Sequence, residues 1–516
     1  MKNFSKLYSA ELDGIDARLI EVETDVNVGL HSFTIVGLAD KAVSEAKERV
    51  NSAIHNIGAK APNRENRKIV VNLAPADVKK AGSHYDLAIA LGYLAATAQV
   101  GMFNAKNKLF IGELSLEGNL RAIGGVLNMV RAAEREGIAE VFVPAANARE
   151  AAIVCGVAVY PVGTLRELAL HLEGRAAIAP QPKTEIVEAA SHAADISEIK
   201  GQANAKRALA VAAAGGHNMF MVGSPGGGKT MLAECLATIL PPLTTDEALE
   251  VTQVYSAAGL LAGEPYIASR PFRSPHHTAS PVAVIGGGAN PRPGEISLAH
   301  RGVLLLDEIP EFRRDLLEAL RQPLESGKAH IARAQGSAVF PAKFMLVAAM
   351  NPCPCGYYRD EEKACTCAAH EVLRYQKKVS GPLLDRIDIQ IHVPRVKSDE
   401  LRAKGAAGET SADIRARVIA ARSIQAERFA GLPKKGKHKV LTNADMSSKQ
   451  CEEFIQFTDA AEKFLDTSLK SAAFSARAYY RVLKVAQTIA DLEASEKVTD
   501  AHLAEAFGYR LRSEEM

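Results

Sequence analysis

The stretch Met219-Phe220-Met221-Val222-Gly223-Ser224-Pro225-Gly226-Gly227-Gly228-Lys229-Thr230 decides the fold. Its first four residues are a short, continuous apolar run bounded by glycine, the pattern of a buried strand. The run leads directly into G-x-x-x-x-G-K-T, and Met231 to Leu240 reads as a helix. Strand, glycine-rich loop and helix together mark a phosphate-binding loop rather than a plain glycine turn. Gly223, Ser224, Pro225, Gly226, Gly227 and Gly228 form the cradle, in which consecutive backbone N–H groups curl around phosphate oxygens. The helix N-terminus adds a positive dipole end. In such a loop Lys229 reaches the β- and γ-phosphates and Thr230 gives its hydroxyl to Mg²⁺. The expectation is a nucleoside triphosphate site.

Two further apolar runs extend this reading. Gly302-Val303-Leu304-Leu305-Leu306-Asp307-Glu308 delivers two carboxylates from the end of a buried strand. Acids at such a strand end lie at the ligand crevice of an open α/β sheet. Asp307 is placed to hold Mg²⁺ through its water shell, and Glu308 to polarise an attacking water. Phe344-Met345-Leu346-Val347-Ala348-Ala349-Met350-Asn351 is a third buried strand, and it ends in a polar amide before Pro352.

The 516 residues give room for about three domains. A net charge of +2 does not point to nucleic acid, so any basic surface must come from local clustering. The beginning, MKNFSKLYSAELDG, lacks a signal-peptide apolar core, and no apolar run approaches ~18 residues. The expected location is the cytoplasm, without membrane contact. Cysteines stay reduced there, so the seven of this chain are candidates for metal ligands or buried thiols before disulfides.

Residues 1–172 mix strands and helices irregularly, as an α+β domain does. Two stretches in it resemble the proteolytic domain of the Lon family: Lys79-Lys80-Ala81-Gly82-Ser83-His84-Tyr85-Asp86 and Arg121-Ala122-Ile123-Gly124-Gly125-Val126. The resemblance implies a Lon-like fold but not its chemistry. His84 stands where that family has its serine, Ser83 is one residue out of register, and Leu127, Asn128 and Met129 follow the second motif. No Ser–Lys dyad can be placed, so peptide hydrolysis has no nucleophile and base. Residues 173–194, with two prolines and small residues, read as a linker.

From Asp195 onward the chain resembles the AAA+ ATPases. Asp195-Ile196-Ser197-Glu198-Ile199-Lys200-Gly201-Gln202 is similar to the segment that lies against adenine in that family. The resemblance makes Asn351 sensor 1, an amide that orients the lytic water. It makes Arg386, in Ser380-Gly381-Pro382-Leu383-Leu384-Asp385-Arg386-Ile387-Asp388, the arginine finger that enters a neighbouring subunit's site. An Arg386 paired to Asp385 or Asp388 within its own subunit is the alternative. Arg477, opening a helix with Arg481 one turn on, resembles sensor 2 and is read with Asp307, Glu308 and Asn351 as part of one hydrolytic site.

Closer still is the ComM/YifB family of the magnesium-chelatase-like branch. The phrases that carry this are Arg270-Pro271-Phe272-Arg273-Ser274-Pro275-His276-His277, Pro291-Arg292-Pro293-Gly294-Glu295-Ile296-Ser297-Leu298-Ala299-His300 and Asn351-Pro352-Cys353-Pro354-Cys355-Gly356-Tyr357. The resemblance spans nearly the whole chain. It implies a multidomain α/β protein with a Lon-protease-like domain (1–172), a linker (173–194), an AAA+ P-loop domain (195–395) and a C-terminal helical lid bundle (396–516). It also implies ATP and Mg²⁺ as cofactors, and a homohexamer that moves on single-stranded or branched DNA as a branch-migration helicase in natural transformation. The competing reading is a chelatase-type motor that drives metal insertion or remodels a protein partner.

Two insertions bear on DNA independently. Residues 253–300 exceed an ordinary connection and hold Arg270, Arg273, His276, His277 and Arg292. Lys328 to Arg333 and Ser337 to Phe340, around Gln335-Gly336, read as a hairpin bearing Lys328, His330 and Arg333. Such a hairpin facing a ring's pore would contact phosphates. The cysteines Cys353, Cys355, Cys365 and Cys367 suit a tetrahedral Zn²⁺, although one intervening residue in each half makes the geometry tight. Reduced loop thiols are the alternative, and His370 is a substitute ligand. Beyond 396 only helical patterns occur, at about 411–429, 447–456, 459–467, 475–493 and 499–507. The lysine-rich Gly431 to Lys439 is either a solvated loop or a phosphate contact.

Overall fold

The computed structural model describes residues 3–187, 194–261, 263–288, 290–333, 336–396, 408–432, 440–471 and 475–510. Part of the expected linker, the hairpin tip, the side chain of Arg333 and the lysine-rich loop over 433–439 lie outside them.

The centre is a five-stranded parallel sheet, in the order Phe272–Arg273, Val303–Leu306, Met345–Met350, Met219–Val222, Ile389–His392. All three runs singled out in the sequence are in it, and each is buried throughout. A parallel sheet covered on both faces needs apolar side chains in both directions, which is why these strands read as unbroken apolar runs. Met219, Met221, Leu305, Val347 and Ile389 point into one core, shared with helices Ala203–Gly215, Lys229–Ile239 and Ala476–Leu492. Phe220, Val222, Leu304, Leu306 and Leu346 point into the other, closed by helix Arg314–Ala319 and the hairpin. The helices Ser411–Arg428, Ser448–Phe454, Asp459–Ser471, Ala476–Leu492 and Asp500–Gly508 match the expected helical tail closely.

The first part of the chain holds a four-stranded sheet built from Phe4–Asp13, Asp16–Val28, Arg67–Ala74 and Ser32–Val36, and a three-stranded parallel sheet further on. Helices Lys41–Asn56 and Asp86–Ala96 pack against the first sheet. Tyr85 and His84, from the first Lon-like stretch, are buried beside Glu11. The Tyr85 hydroxyl donates to Glu11 at 2.6 Å, and the Ala81 N–H donates to the same oxygen at 2.9 Å. Ser83 donates to Glu113 instead. Asn128, where the second motif's family has lysine nearby, donates to Ile15 O at 2.7 Å.

The second Lon-like stretch has become a docking edge. Gly125 N–H donates to Ser256 O at 2.8 Å, and a Cβ on Gly124 would stand 3.4 Å from the Gly259 Cα. Both partners belong to or end helix Thr245–Ala258, so glycines let this helix approach helix Val126–Arg135.

Candidate nucleotide site

The register of the sheet assembles the site. Val222 pairs with Met350 and Leu306 with Ala348, so Gly223, Asn351 and the Asp307-Glu308 pair all emerge at the same, C-terminal end. Ligands of open α/β sheets bind at this end. Gly226 and Gly228 both take φ +82°, a region that excludes most side chains, and a Cβ on Gly223 would fall 1.9 Å from Val393 O. The loop is therefore shaped by its glycines. Gln202 ties it down from the preceding segment, donating to Gly227 O at 3.1 Å and Pro394 O at 2.6 Å.

Lys229 is buried, and its ammonium donates to Gly223 O at 2.7 Å, Ser224 O at 3.1 Å and Asn351 Oδ1 at 3.1 Å. Burial lowers its pKa, while Asp307 and Glu308 work in the other direction. The Thr230 hydroxyl donates to Asp307 Oδ2 at 2.7 Å, and Glu308 N–H to Asp307 Oδ1 at 2.9 Å. A hydroxyl beside a carboxylate is the hard-oxygen donor set that Mg²⁺ takes together with waters and phosphates. Glu308 takes φ +50°, which breaks the strand and leaves its carboxylate exposed. The donor chemistry fits a Mg–nucleoside triphosphate: a cation for phosphate oxygens, oxygens for the metal, and a free carboxylate for a water.

Arg386 and Arg477 are elsewhere. Arg386 is buried and pairs through Nη2 with Glu325 Oε1 at 2.5 Å, and Arg477 Nη2 lies 3.1 Å from that same oxygen. Arg386 precedes strand Ile389–His392, and its neighbour Asp388 meets His217, which precedes the P-loop strand, at 2.9 Å. The two arginines thus sit at the N-terminal end of the sheet, about 13 Å of strand away from the P-loop. This corrects the expectation that Arg477 joins Asp307, Glu308 and Asn351 in one subunit's site. Its helix starts beside Glu325, on the opposite edge. The pairing partner of Arg386 is Glu325 rather than Asp385 or Asp388. Glu325 escaped sequence reading because a lone acid near the end of a short helix carries no signal.

The hairpin forms as expected, Lys328–Arg333 against Gly336–Pro341. Lys328 and His330 share its exposed face, while Ala329 and Ile331 fill the core. Arg273 is half-buried, and its guanidinium meets Glu295 in a two-bond fork at 2.6 and 2.7 Å. His276 is exposed and bonds the Thr278 hydroxyl at 2.8 Å, whereas His277 is half-buried, edge-on to Phe312.

The cysteines converge. The Sγ atoms of Cys353, Cys355, Cys365 and Cys367 lie within 4.8 Å of one another, a group able to hold a metal ion. The one-residue spacings that looked tight in sequence are accommodated by a turn in which Gly356 takes φ +87°.

A parallel sheet with the P-loop strand between the amide-bearing strand and an edge strand, and with an acid pair one strand further out, defines a P-loop protein of the AAA+ class. Residues 195–401 match the magnesium chelatase, subunit ChlI, family; residues 22–147 match subunit ChlI of Mg-chelatase, and 408–510 its C-terminal family. Competence protein ComM of Haemophilus influenzae is 42% identical over 510 residues, covering 98% of this chain and 97% of that one. YifB of Escherichia coli, itself uncharacterized, is 41% identical over 498 residues, 96% of this chain and 95% of that one. An archaeal Lon protease of Methanocaldococcus jannaschii is 25% identical over 155 residues, 29% of this chain and 24% of that one. The chain belongs to the ComM/YifB family of magnesium-chelatase-like AAA+ proteins, a family that implies ATP and Mg²⁺. Among the described residues no helix is long and apolar enough to cross a membrane.

Proposed function

We propose that this protein is an ATP-hydrolysing motor that works in the cytoplasm as a homohexamer on single-stranded or branched DNA, promoting branch migration and integration of incoming DNA in natural transformation. The observation that carries the reading is full-length similarity to a competence protein, joined to a P-loop, acid pair and amide at one sheet end. In this reading Lys229 and the loop N–H groups hold the phosphates, and Thr230 and Asp307 hold Mg²⁺. Glu308 draws a proton from the attacking water, and Asn351 orients that water. Arg386 and Arg477, gathered on Glu325 at the far end of the sheet, act on a neighbouring subunit's nucleotide. The division is a Lon-like domain over 1–172 without a catalytic dyad, a linker, an AAA+ domain over 195–395 and a helical lid over 396–516. Lys328 and His330, with His276, face DNA, and the four cysteines hold a structural Zn²⁺.

The second reading, a chelatase-type motor for metal insertion or protein remodelling, draws on the family description itself. ATP turnover measured with and without single-stranded and four-way-junction DNA separates the two, with Lys229→Ala as the inactive control. Stimulation by DNA, and its loss in Lys328→Ala/His330→Ala with nucleotide affinity intact, is expected. A turnover rate indifferent to every DNA, in a chain that still hydrolyses ATP, overturns the DNA reading.

A further inference from the structure

The segment over 352–368 buries little: Pro352, Cys353 and Gly356 are inside, and most of its other side chains are half or fully exposed. A loop of this kind has no apolar core to fix it, and a bound metal is one of the few devices that can. Its thiols are arranged for one ion. Cys353 Sγ lies 3.3 Å from Cys355 Sγ and 3.7 Å from Cys365 Sγ, and Cys355 and Cys365 are 3.6 Å apart. Tetrahedral Zn–S bonds of about 2.3 Å set sulfurs roughly 3.8 Å apart, and the spacing is too tight for a multi-iron cluster. Backbone N–H groups already point at the sulfurs: Tyr358 to Cys353 at 3.2 Å, Cys355 to Cys367 at 3.4 Å and Cys367 to Cys365 at 3.4 Å. Such N–H···S bonds offset thiolate charge around a metal.

The same loop lies against the P-loop. A Cβ on Gly356 would stand 2.6 Å from both Cγ and Cδ of Pro225, so the loop backbone packs directly against the Pro225 ring. Asp360 accepts a hydrogen bond from Ser224, the residue whose carbonyl holds Lys229. Asn351 lies two residues before Cys353, and Gln376 fastens the intervening Pro352 through its carbonyl at 3.0 Å.

We infer that Cys353, Cys355, Cys365 and Cys367 bind one Zn²⁺ that clamps this loop onto Pro225 and Ser224, making nucleotide affinity conditional on the metal. The inference rests on the P-loop being the nucleotide site. Releasing the ion frees the loop, and a P-loop that samples several conformations binds in proportion to the competent fraction.

The test uses the full chain. Zinc is counted by elemental analysis, and the affinity for a fluorescent ATP analogue is measured before and after thiol-directed zinc release, then after zinc is returned. The expected result is one zinc per chain, with affinity about tenfold weaker on release and restored on return. Cys365→Ser/Cys367→Ser reproduces the loss, and should it fail to fold, the release experiment on the unaltered chain decides alone. Sub-stoichiometric zinc in protein purified without chelators overturns the metal site, and unchanged affinity after release overturns the clamp. Failure of the nucleotide reading looks different: the zinc-loaded chain binds no ATP analogue, or Lys229→Ala binds it equally well.

Discussion

Gly356 carries two requirements at once, a φ of +87° and a backbone face without room for a side chain beside Pro225. Gly356→Ala meets both strain and a clash with a ring that cannot step aside without moving the P-loop. Nucleotide affinity is expected to fall about tenfold while the zinc count stays at one, because no ligand is removed. Unchanged affinity would show that the contact is passive. At this scale the sequence was most informative where chemistry and backbone shape coincide: a glycine run ending in Lys229-Thr230, and acids or an amide at the ends of buried strands, have few other uses. It was least informative for pairings. Glu325 draws Arg386 and Arg477 together, and Glu295 holds Arg273, through contacts fixed only after the strands are stacked.

Elements hold to one another here through buried polar networks that apolar patterning does not reveal. Asp388, ending the connection into the edge strand, meets His217 at 2.9 Å and also pairs with Arg481 from helix Ala476–Leu492. Burial alone would raise its pKa, yet Arg481 and His217 hold it well below the usual carboxylate range. Asp388→Asn leaves Arg481 without a counter-charge, and a loss of roughly 3–5 kcal/mol in urea unfolding is expected. Glu11 is the opposite case. Burial pushes its pKa up to about 7 against the bonds from Tyr85 and Ala81. The folded state thus holds the proton that the unfolded chain releases above its ordinary value. This contribution is complete below about pH 4.5 and lost as pH rises through 7. His84, lowered to about 4 by burial, gains stability with rising pH below its ordinary value and masks the trend in the unaltered chain. The Glu11→Gln variant isolates it: an amide oxygen can accept both bonds, so its unfolding free energy relative to the parent should climb between pH 5 and 8, by on the order of 3 kcal/mol. A constant offset would contradict the buried proton. Helix Ala476–Leu492 was legible from periodicity, with ends within a residue, whereas the edge strand Ile389–His392 was not read at all, since four residues are too few to show a period. The first strand, Phe4–Asp13, was not, because its alternation is broken by Ser9, Ala10 and Glu11 all turning inward.

The whole molecule presents a P-loop with its acids and amide at one end of the sheet and two arginines on a shared carboxylate at the other. A rigid subunit cannot bring the two ends together, since four residues of strand and the buried network around Asp388 lie between them. If these arginines serve a nucleotide, as proposed, a complete site needs two subunits placed head to tail, the heterologous contact that closes into a ring. Lys229→Ala removes one half of such a site and Arg386→Ala the other, and each homomer should hydrolyse ATP about a thousandfold more slowly than the parent. Mixed after dissociation and reassembly, the two inactive chains should recover turnover. An Arg386→Ala subunit supplies an intact P-loop, the adjacent Lys229→Ala subunit supplies an intact arginine, and random mixing rebuilds about a quarter of the interfaces. Arg477→Ala, exposed enough to remove without disturbing the core, should complement Lys229→Ala in the same way. If the arginines served their own subunit's nucleotide, no mixture would contain a single complete site, and turnover would stay at the level of the separate homomers at every ratio.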